Sequence, residues 1–428
     1  MPHARGNLSP AEAGRVSIED HIADCLALVA PLSAIEVPLL EALGCVLTAD
    51  VVAQAPLPGF DNSGMDGYAV RAQDVTGAAP GSPVRLPVTG DVFAGAAGSA
   101  RLAPGTAMRI MTGAVVPDGA DSVVPVENTD GGLAEVEIRA AVAAGRHVRR
   151  AGDDVETGDT VLRAGTRLNP RQLALLAAVG RTRVQVHPRP RVVVLSTGSE
   201  VVEPGQPLQR GQLYDSNGIG LVAAAQELGA RAERVGIIDD EPRAVRAAVE
   251  DQVGRADVII TSGGVSMGAA DIVKAVLGEI GDVTFRNVAV QPGGPQGLGT
   301  LGEERVPVFC LPGNPVSALV SFEIFVRPAL RAMLGESRLH RRRVPARMLR
   351  GWSSPAGRRQ YARVLLMRDA TAIAGAATPY VAEPASGQGS HLAAQLAHAN
   401  ALAEVPEDVT EVSGGDVLEC LVLERMRR

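Results

Sequence analysis

Between residues 188 and 338, apolar runs alternate with amphipathic stretches in a pattern that sets the fold. Arg191 to Leu195 is a β-branched run ending in Ser196-Thr-Gly-Ser-Glu200. The spacing then predicts a helix over about Asn217 to Leu228 and a strand over Val235 to Ile238. A second helix follows Asp239-Asp-Glu-Pro242 and reaches Val253. Asp257 to Ser262 reads as a buried strand running into a Ser/Thr/Gly loop, with Asp271 and Lys274 on the first turns of the next helix. Val306 to Leu311 is another strand, leading through Pro312-Gly-Asn-Pro315 into a long helix. Strands alternating with helices predict a doubly wound parallel sheet. Ligands on such sheets sit at the carboxyl ends of the strands, where each of these loops falls.

Outside this stretch the texture changes. Ser17-Ile-Glu-Asp20 resembles a capping box and opens an amphipathic helix carrying Ile22, Leu26 and Val29. From Pro58 to about Val148, apolar runs are short and turn signals such as Pro104-Gly105 and Asp118-Gly119 recur, so a β-rich domain is predicted. The segment 151–186 is mixed, with a helix from Pro170 to Val179. It is expected to pack on the N-terminal helix, which makes the β-rich domain an insertion. Past Arg341 the helical pattern stops, and Arg363 to Met367 and Val417 to Leu423 predict a small β barrel or sandwich. The fold class is therefore multidomain α/β plus β. It has a doubly wound parallel α/β domain (188–338), an inserted β-rich domain (58–149), a mixed linker domain (15–57 with 150–187) and a C-terminal β-barrel-like domain (339–428).

Composition narrows the function. Aromatic residues make up 3% of the 428 and the net charge is −7, which argues against a nucleic-acid surface. The basic run Arg341 to Arg343 reads as a domain junction. Four scattered cysteines offer neither a disulfide framework nor a zinc site. No apolar run reaches bilayer length and the N-terminus has no signal-peptide core, so a cytoplasmic protein without membrane contact is expected.

The chemistry gathers at the strand ends. Glycines at Ser262-Gly263-Gly264 let backbone N–H groups converge on an anion, and a following helix N-terminus adds positive character. Asp271 supplies a hard oxygen ligand, so phosphate with Mg²⁺ is the natural guest. Lys274 is the only lysine in the chain. In Pro312-Gly-Asn-Pro315, Asn314 is placed as an N-cap and Pro315 at the first helical position. Such a turn either ends a strand or presents N–H groups to phosphate; beside the Ser262 to Gly264 loop the second use is expected. Glu200, Asp215, Asp239, Asp240 and Asp271 cluster at the same sheet edge, as a divalent-cation site requires. The seven histidines fall outside these loops and give no support for zinc.

Seven motifs then occur in order: Pro58-Gly-Phe-Asp-Asn-Ser-Gly-Met-Asp-Gly-Tyr-Ala69, Arg109-Ile-Met-Thr-Gly-Ala114, Gly119-Ala-Asp-Ser-Val-Val124, Arg150-Ala-Gly-Asp-Asp154, Ser196-Thr-Gly-Ser-Glu200, Thr261-Ser-Gly-Gly-Val-Ser-Met-Gly268 and Leu311-Pro-Gly-Asn-Pro-Val-Ser317. Together they resemble the molybdopterin molybdenumtransferases, the molybdenum-insertion family that includes the C-terminal domain of gephyrin. The resemblance runs from about residue 15 to 425. It implies a four-domain homodimer that takes adenylylated molybdopterin and molybdate, uses Mg²⁺, releases AMP and leaves molybdenum on the dithiolene. A molybdopterin adenylyltransferase is implied as a partner.

By the same resemblance, Glu200, Asp240 and Asp271 stand near the metal and pyrophosphate, with Asp240 and Asp271 also catalytic. Asp66, Thr112 and Asp154 are catalytic polar positions from the other subunit. Ser262, Gly263, Gly264, Lys274, Pro312, Gly313 and Asn314 bind substrate, and Ser266, Arg363 and Ser390 match positions associated with molybdate. Many relatives carry Lys-Pro-Gly-Lys-Pro where this chain has Gln291-Pro-Gly-Gly-Pro295. Molybdate binding is therefore expected to lean on Arg363. The alternatives are a non-catalytic molybdopterin-binding or scaffold homologue, and a molybdopterin adenylyltransferase. Molybdate against tungstate is left open by the sequence.

Overall fold

A computed structural model describes residues 14–95, 100–264, 272–369, 378–385 and 387–424. The chain divides into two compact units: residues 36–43 with 47–186, and residues 1–35, 44–46 and 187–428. Helix α1 (Ile18–Ala27) opens on Ser17, whose Oγ accepts from the Asp20 amide at 3.0 Å. Its expected partner was the 151–186 segment. Instead its buried Ile18 and Cys25 share a core with Val326, Ala329 and Leu330 of the larger unit.

The smaller unit is built on a five-stranded sheet of β1 (Gly67–Val70), β2 (Val84–Val92), β3 (Ala107–Ile110), β4 (Ser122–Pro125) and β5 (Glu135–Ile138). Their order is β4-β1-β3-β2-β5. Tyr68, Val70, Val124 and Ile138 fill one core, and Ala69, Met108, Ile110 and Val123 fill another, as the two-residue period of strands requires. The same unit holds α2 (Pro170–Ala178), begun by a capping box between Asn169 and Gln172.

In the larger unit the sheet comprises β6 (Arg191–Thr197), β7 (Arg231–Ile238), β8 (Val258–Ser262), β9 (Gly281–Asn287), β10 (Pro295–Leu301) and β11 (Val306–Leu311). The order is β7-β6-β8-β11-β10-β9. The first four strands are parallel, whereas β10 and β9 add on antiparallel. The doubly wound parallel sheet thus stands as predicted, extended at one edge by two antiparallel strands.

Helices α3 (Ser216–Leu228), α6 (Pro315–Ser321) and α7 (Arg327–Met333) cover one face; α4 (Pro242–Val253) and α5 (Ile272–Ile280) cover the other. Consecutive β6 residues show why the run is uniformly apolar. Val192 and Val194 enter one core while Val193 and Leu195 enter the opposite one. Helix α3 is fixed by Asp215, whose Oδ1 accepts from the Gly218 amide at 2.8 Å, and it stops at Gly229 in the left-handed region.

The C-terminal strands β12 (Arg343–Met348), β13 (Arg359–Arg368), β14 (Tyr380–Pro384), β15 (Ala401–Val405) and β16 (Val417–Val422) close into a barrel. The order is β13-β14-β12-β16-β15, and β15 pairs back on β13. A short strand, Val290–Gln291, runs parallel to the start of β13 and sets Gln291 opposite Gln360. Arg341 ties barrel to helical layer: its guanidinium forks onto both carboxylate oxygens of Glu323 (2.7 and 2.8 Å) and also reaches Leu423 O. All four cysteines are buried and none is in a disulfide. Among the described residues no helix is long and apolar enough to cross a membrane.

Candidate functional site

At the carboxyl ends of β6, β8 and β11 lies a cavity of about 610 Å³. Thr197, Gly198, Glu200, Asp240, Gly263, Gly264, Pro312, Gly313 and Asn314 line it from the sheet side. Gln291 to Pro295, Arg358 and Ser390 complete the wall. Two of its loops are stitched by one side chain. Asn217 Nδ2 donates to Ser262 Oγ (2.9 Å) and to Gly313 O (2.7 Å). The Gly263 amide donates to Leu311 O at 3.1 Å. Gly263 sits at φ +94°, and a Cβ there would lie 2.9 Å from Thr197 O, so only glycine fits.

Two expected anchors do other work. Asp215 is 2% exposed and pairs with Arg234 at 2.7 Å while capping α3. Asn314 sits before α6 but makes no capping bond. Its Nδ2 donates to Ser390 Oγ at 3.1 Å. The Val316 amide is used on Ser390 O at 3.2 Å. The Val316 amide at the start of α6 thus holds the Ser390 loop.

Glu200 and Asp240 share the cavity wall, with the Ser199 amide donating to Asp240 Oδ2 at 3.3 Å. Thr197 Oγ1, also on the wall, is buried and has no hydrogen-bond partner among the described residues. Two carboxylates and a hydroxyl are hard oxygen donors that suit Mg²⁺. Among the described residues no group of three or more His, Cys, Asp or Glu side chains placed to hold a metal ion forms. Asp271 and Ser266 lie outside the described residues.

The basic side chains are distributed differently from expectation. Lys274 is absent from the described cavity wall; its Nζ sits 5.6 Å from the centre of the Phe285 ring. Arg363 is 1% exposed and gives its two terminal nitrogens to Gly389 O (3.0 Å) and Gly387 O (2.9 Å). Its backbone amide also donates to Gln388 Oε1 at 3.0 Å. It therefore shapes the loop that delivers Ser390, and burial lowers its pKa. Arg358 is the basic residue on the cavity wall, with Nη1 donating to Gln291 Oε1 at 3.1 Å.

In the smaller unit, Asp66 and Thr112 meet: Asp66 Oδ1 accepts from the Thr112 amide (2.7 Å) and hydroxyl (2.9 Å). These bonds, the amide first, hold the Asp66 carboxyl below its ordinary pKa. Asp154 is exposed on the 150–155 loop. That loop is pinned by Asp61, which accepts from Arg150 Nη1 (2.5 Å) and the Ala151 amide (2.9 Å).

Three site residues escape sequence reasoning. Asn217 carries a faint signal, being polar just after a cap. Thr197 lies inside a quoted motif but was given no role. Arg358 sits in a run of arginines with nothing to separate it from its neighbours.

Known proteins match along nearly the whole length. Residues 16–180 match the MoeA N-terminal region (domain I and II), 193–332 the probable molybdopterin binding domain, and 345–423 the MoeA C-terminal region (domain IV). Molybdopterin molybdenumtransferase 2 of Mycobacterium tuberculosis is 46% identical over 409 residues, covering 94% of this chain and 98% of the relative. Molybdopterin molybdenumtransferase 1 of the same organism is 42% identical, covering 95% and 99%. The crystal structure of a molybdopterin biosynthesis MoeA protein of Pyrococcus horikoshii superposes with TM-score 0.77 at 34% identity, over 96% of this chain and 99% of that one.

Proposed function

We propose a specific reaction for this transferase, because the chain belongs to the molybdopterin molybdenumtransferase (MoeA) family and so serves molybdenum-cofactor biosynthesis. The reaction is the transfer of molybdenum from molybdate onto adenylylated molybdopterin, with release of AMP. The observation that carries it is the single cavity joining a glycine loop, two carboxylates and the Ser390 loop.

Glu200 and Asp240 would repel a bare diphosphate, so the wall suits phosphates only with a divalent cation. Mg²⁺ held there would neutralise the phosphate charge and polarise the scissile bond. Asp271, outside the described residues, is proposed as a third ligand. The loops at Ser262 to Gly264 and Pro312 to Asn314 seat the adenylylated pterin. Ser390, fixed by Asn314 and by the Arg363 fork, faces the molybdate. One oxygen of molybdate attacks the adenylyl phosphorus and the anhydride bond to the pterin phosphate breaks. AMP leaves with that oxygen, and the two dithiolene sulfurs take the molybdenum as their protons pass to the released phosphates.

The same reading places Asp66, Thr112 and Asp154 of a second copy over the site in a homodimer. The four-domain division, a cytoplasmic setting, and an adenylyltransferase that hands over the pterin belong to it too. Incubation with Mg²⁺, molybdate and adenylylated molybdopterin, with products separated by mass spectrometry, tests it. A molybdenum-bearing pterin plus AMP is expected. Formation of adenylylated product from ATP and molybdopterin would instead make the protein an adenylyltransferase.

A further inference from the structure

Away from the strand-end site, a second cavity of about 770 Å³ lies between helix α7 and the barrel. Arg327 and Arg331 of α7 line it with Arg341 and Arg342 of the connecting segment, and Val344, Val422 and Leu423 supply an apolar wall. Arg327 is 8% exposed, yet its Nε and Nη1 have no hydrogen-bond partner among the described residues. The carboxylate paired with it, Glu323, stands 3.8 Å away, and both Glu323 oxygens already accept from Arg341. Arg331 pairs with Glu336, but its buried Nε also has no hydrogen-bond partner among the described residues. The two acids on the lining, Glu227 and Glu424, are exposed. Burial pushes the Arg327 pKa down to about 10, and the Arg341 and Arg331 charges add to this against the pull of Glu323. A buried guanidinium so incompletely paired is costly until an anion completes it.

We propose that this cavity is a second anion site, taking a phosphate monoester between the helical layer and the barrel. The phosphate sits against Arg327 and Arg342, where planar forks match two phosphate oxygens. The body of the ester lies on Val344, Val422 and Leu423. The volume falls within the range of about 300–1,000 Å³ common for small organic ligands, more than a bare ion needs. Residues of α7, β12 and β16 share the lining, so an occupant bridges the same layers that the Arg341 fork on Glu323 joins.

The test measures binding of phenyl phosphate and of inorganic phosphate by titration calorimetry at constant ionic strength, in wild type, Arg327→Met and Arg342→Gln. Hydrogen exchange with and without phenyl phosphate locates the occupant. Loss of a charge-assisted contact predicts affinity weaker by about tenfold or more in Arg327→Met. A smaller loss is expected in Arg342→Gln, whose side chain is exposed, so this variant reports even where Arg327→Met does not fold. Phenyl phosphate should bind more tightly than phosphate and slow exchange in residues 342–348 and 417–424. Equal affinities would overturn the monoester assignment in favour of free phosphate. Slowed exchange confined to residues 197–200 and 312–314, with unchanged affinity in Arg342→Gln, would put the anion in the strand-end cavity and overturn the proposal. Absence of saturable binding to wild type would overturn it outright.

Discussion

Replacing Arg363 tests whether this residue touches molybdate or builds the loop beside it. The side chain is 1% exposed, and its terminal nitrogens donate to Gly389 O and Gly387 O. Hydrogen bonds to a charged group contribute about 1.5–3 kcal/mol each, and burial of the guanidinium takes part of that back. Arg363→Ala should therefore cost about 2–4 kcal/mol and leave two loop carbonyls without their donor. Arg363→Lys keeps the charge, but an ammonium cannot span both carbonyls, so about half of the loss should persist. Urea unfolding gives the stability, and hydrogen exchange at residues 387–390 gives the local opening. Faster exchange in this loop is expected. An Arg363→Ala protein with wild-type stability and loop protection would refute the positioning role.

Two further outcomes follow from buried charge. Asp215→Ala removes both the α3 cap and the Arg234 partner, so unfolding should be easier by about 3 kcal/mol, with Asp215→Asn intermediate by urea titration. His21 is 1% exposed, and burial, then the Arg286 charge, lowers its pKa from 6.5 to about 4. The unfolded chain takes up this proton near pH 6.5 while the folded chain resists until about pH 4. Stability is thus full above pH 6.5 and falls by up to about 3 kcal/mol as the pH drops through that window. His21→Leu should flatten this segment of the stability curve.

The parallel strands were legible because residues such as Val192 to Leu195 are buried on both faces and must be apolar throughout. The β10–β9 hairpin was not. Its segment 295–301 contains Gly297 and Gly299, and a Cβ on Gly299 would fall 2.0 Å from Asp282 O. Close strand packing there demands the residue that reads as a loop. The acids were only partly readable. Asp240 and Glu200 reach the cavity, but Asp215, equal to them in sequence terms, is consumed by a cap and an ion pair. Charge type alone could not separate Arg358 from Arg359, or predict that Lys274 would lie against Phe285. Those assignments depend on which carboxylates or rings the fold brings near, and the local pattern does not carry that.

The most direct test of the central claim is AMP release from adenylylated molybdopterin with Mg²⁺, titrated with molybdate, in wild type and Asp240→Asn. Saturable stimulation by molybdate in wild type, lost in the variant, is the expected result. AMP release at the same rate with and without molybdate, or no release at any concentration, would contradict it.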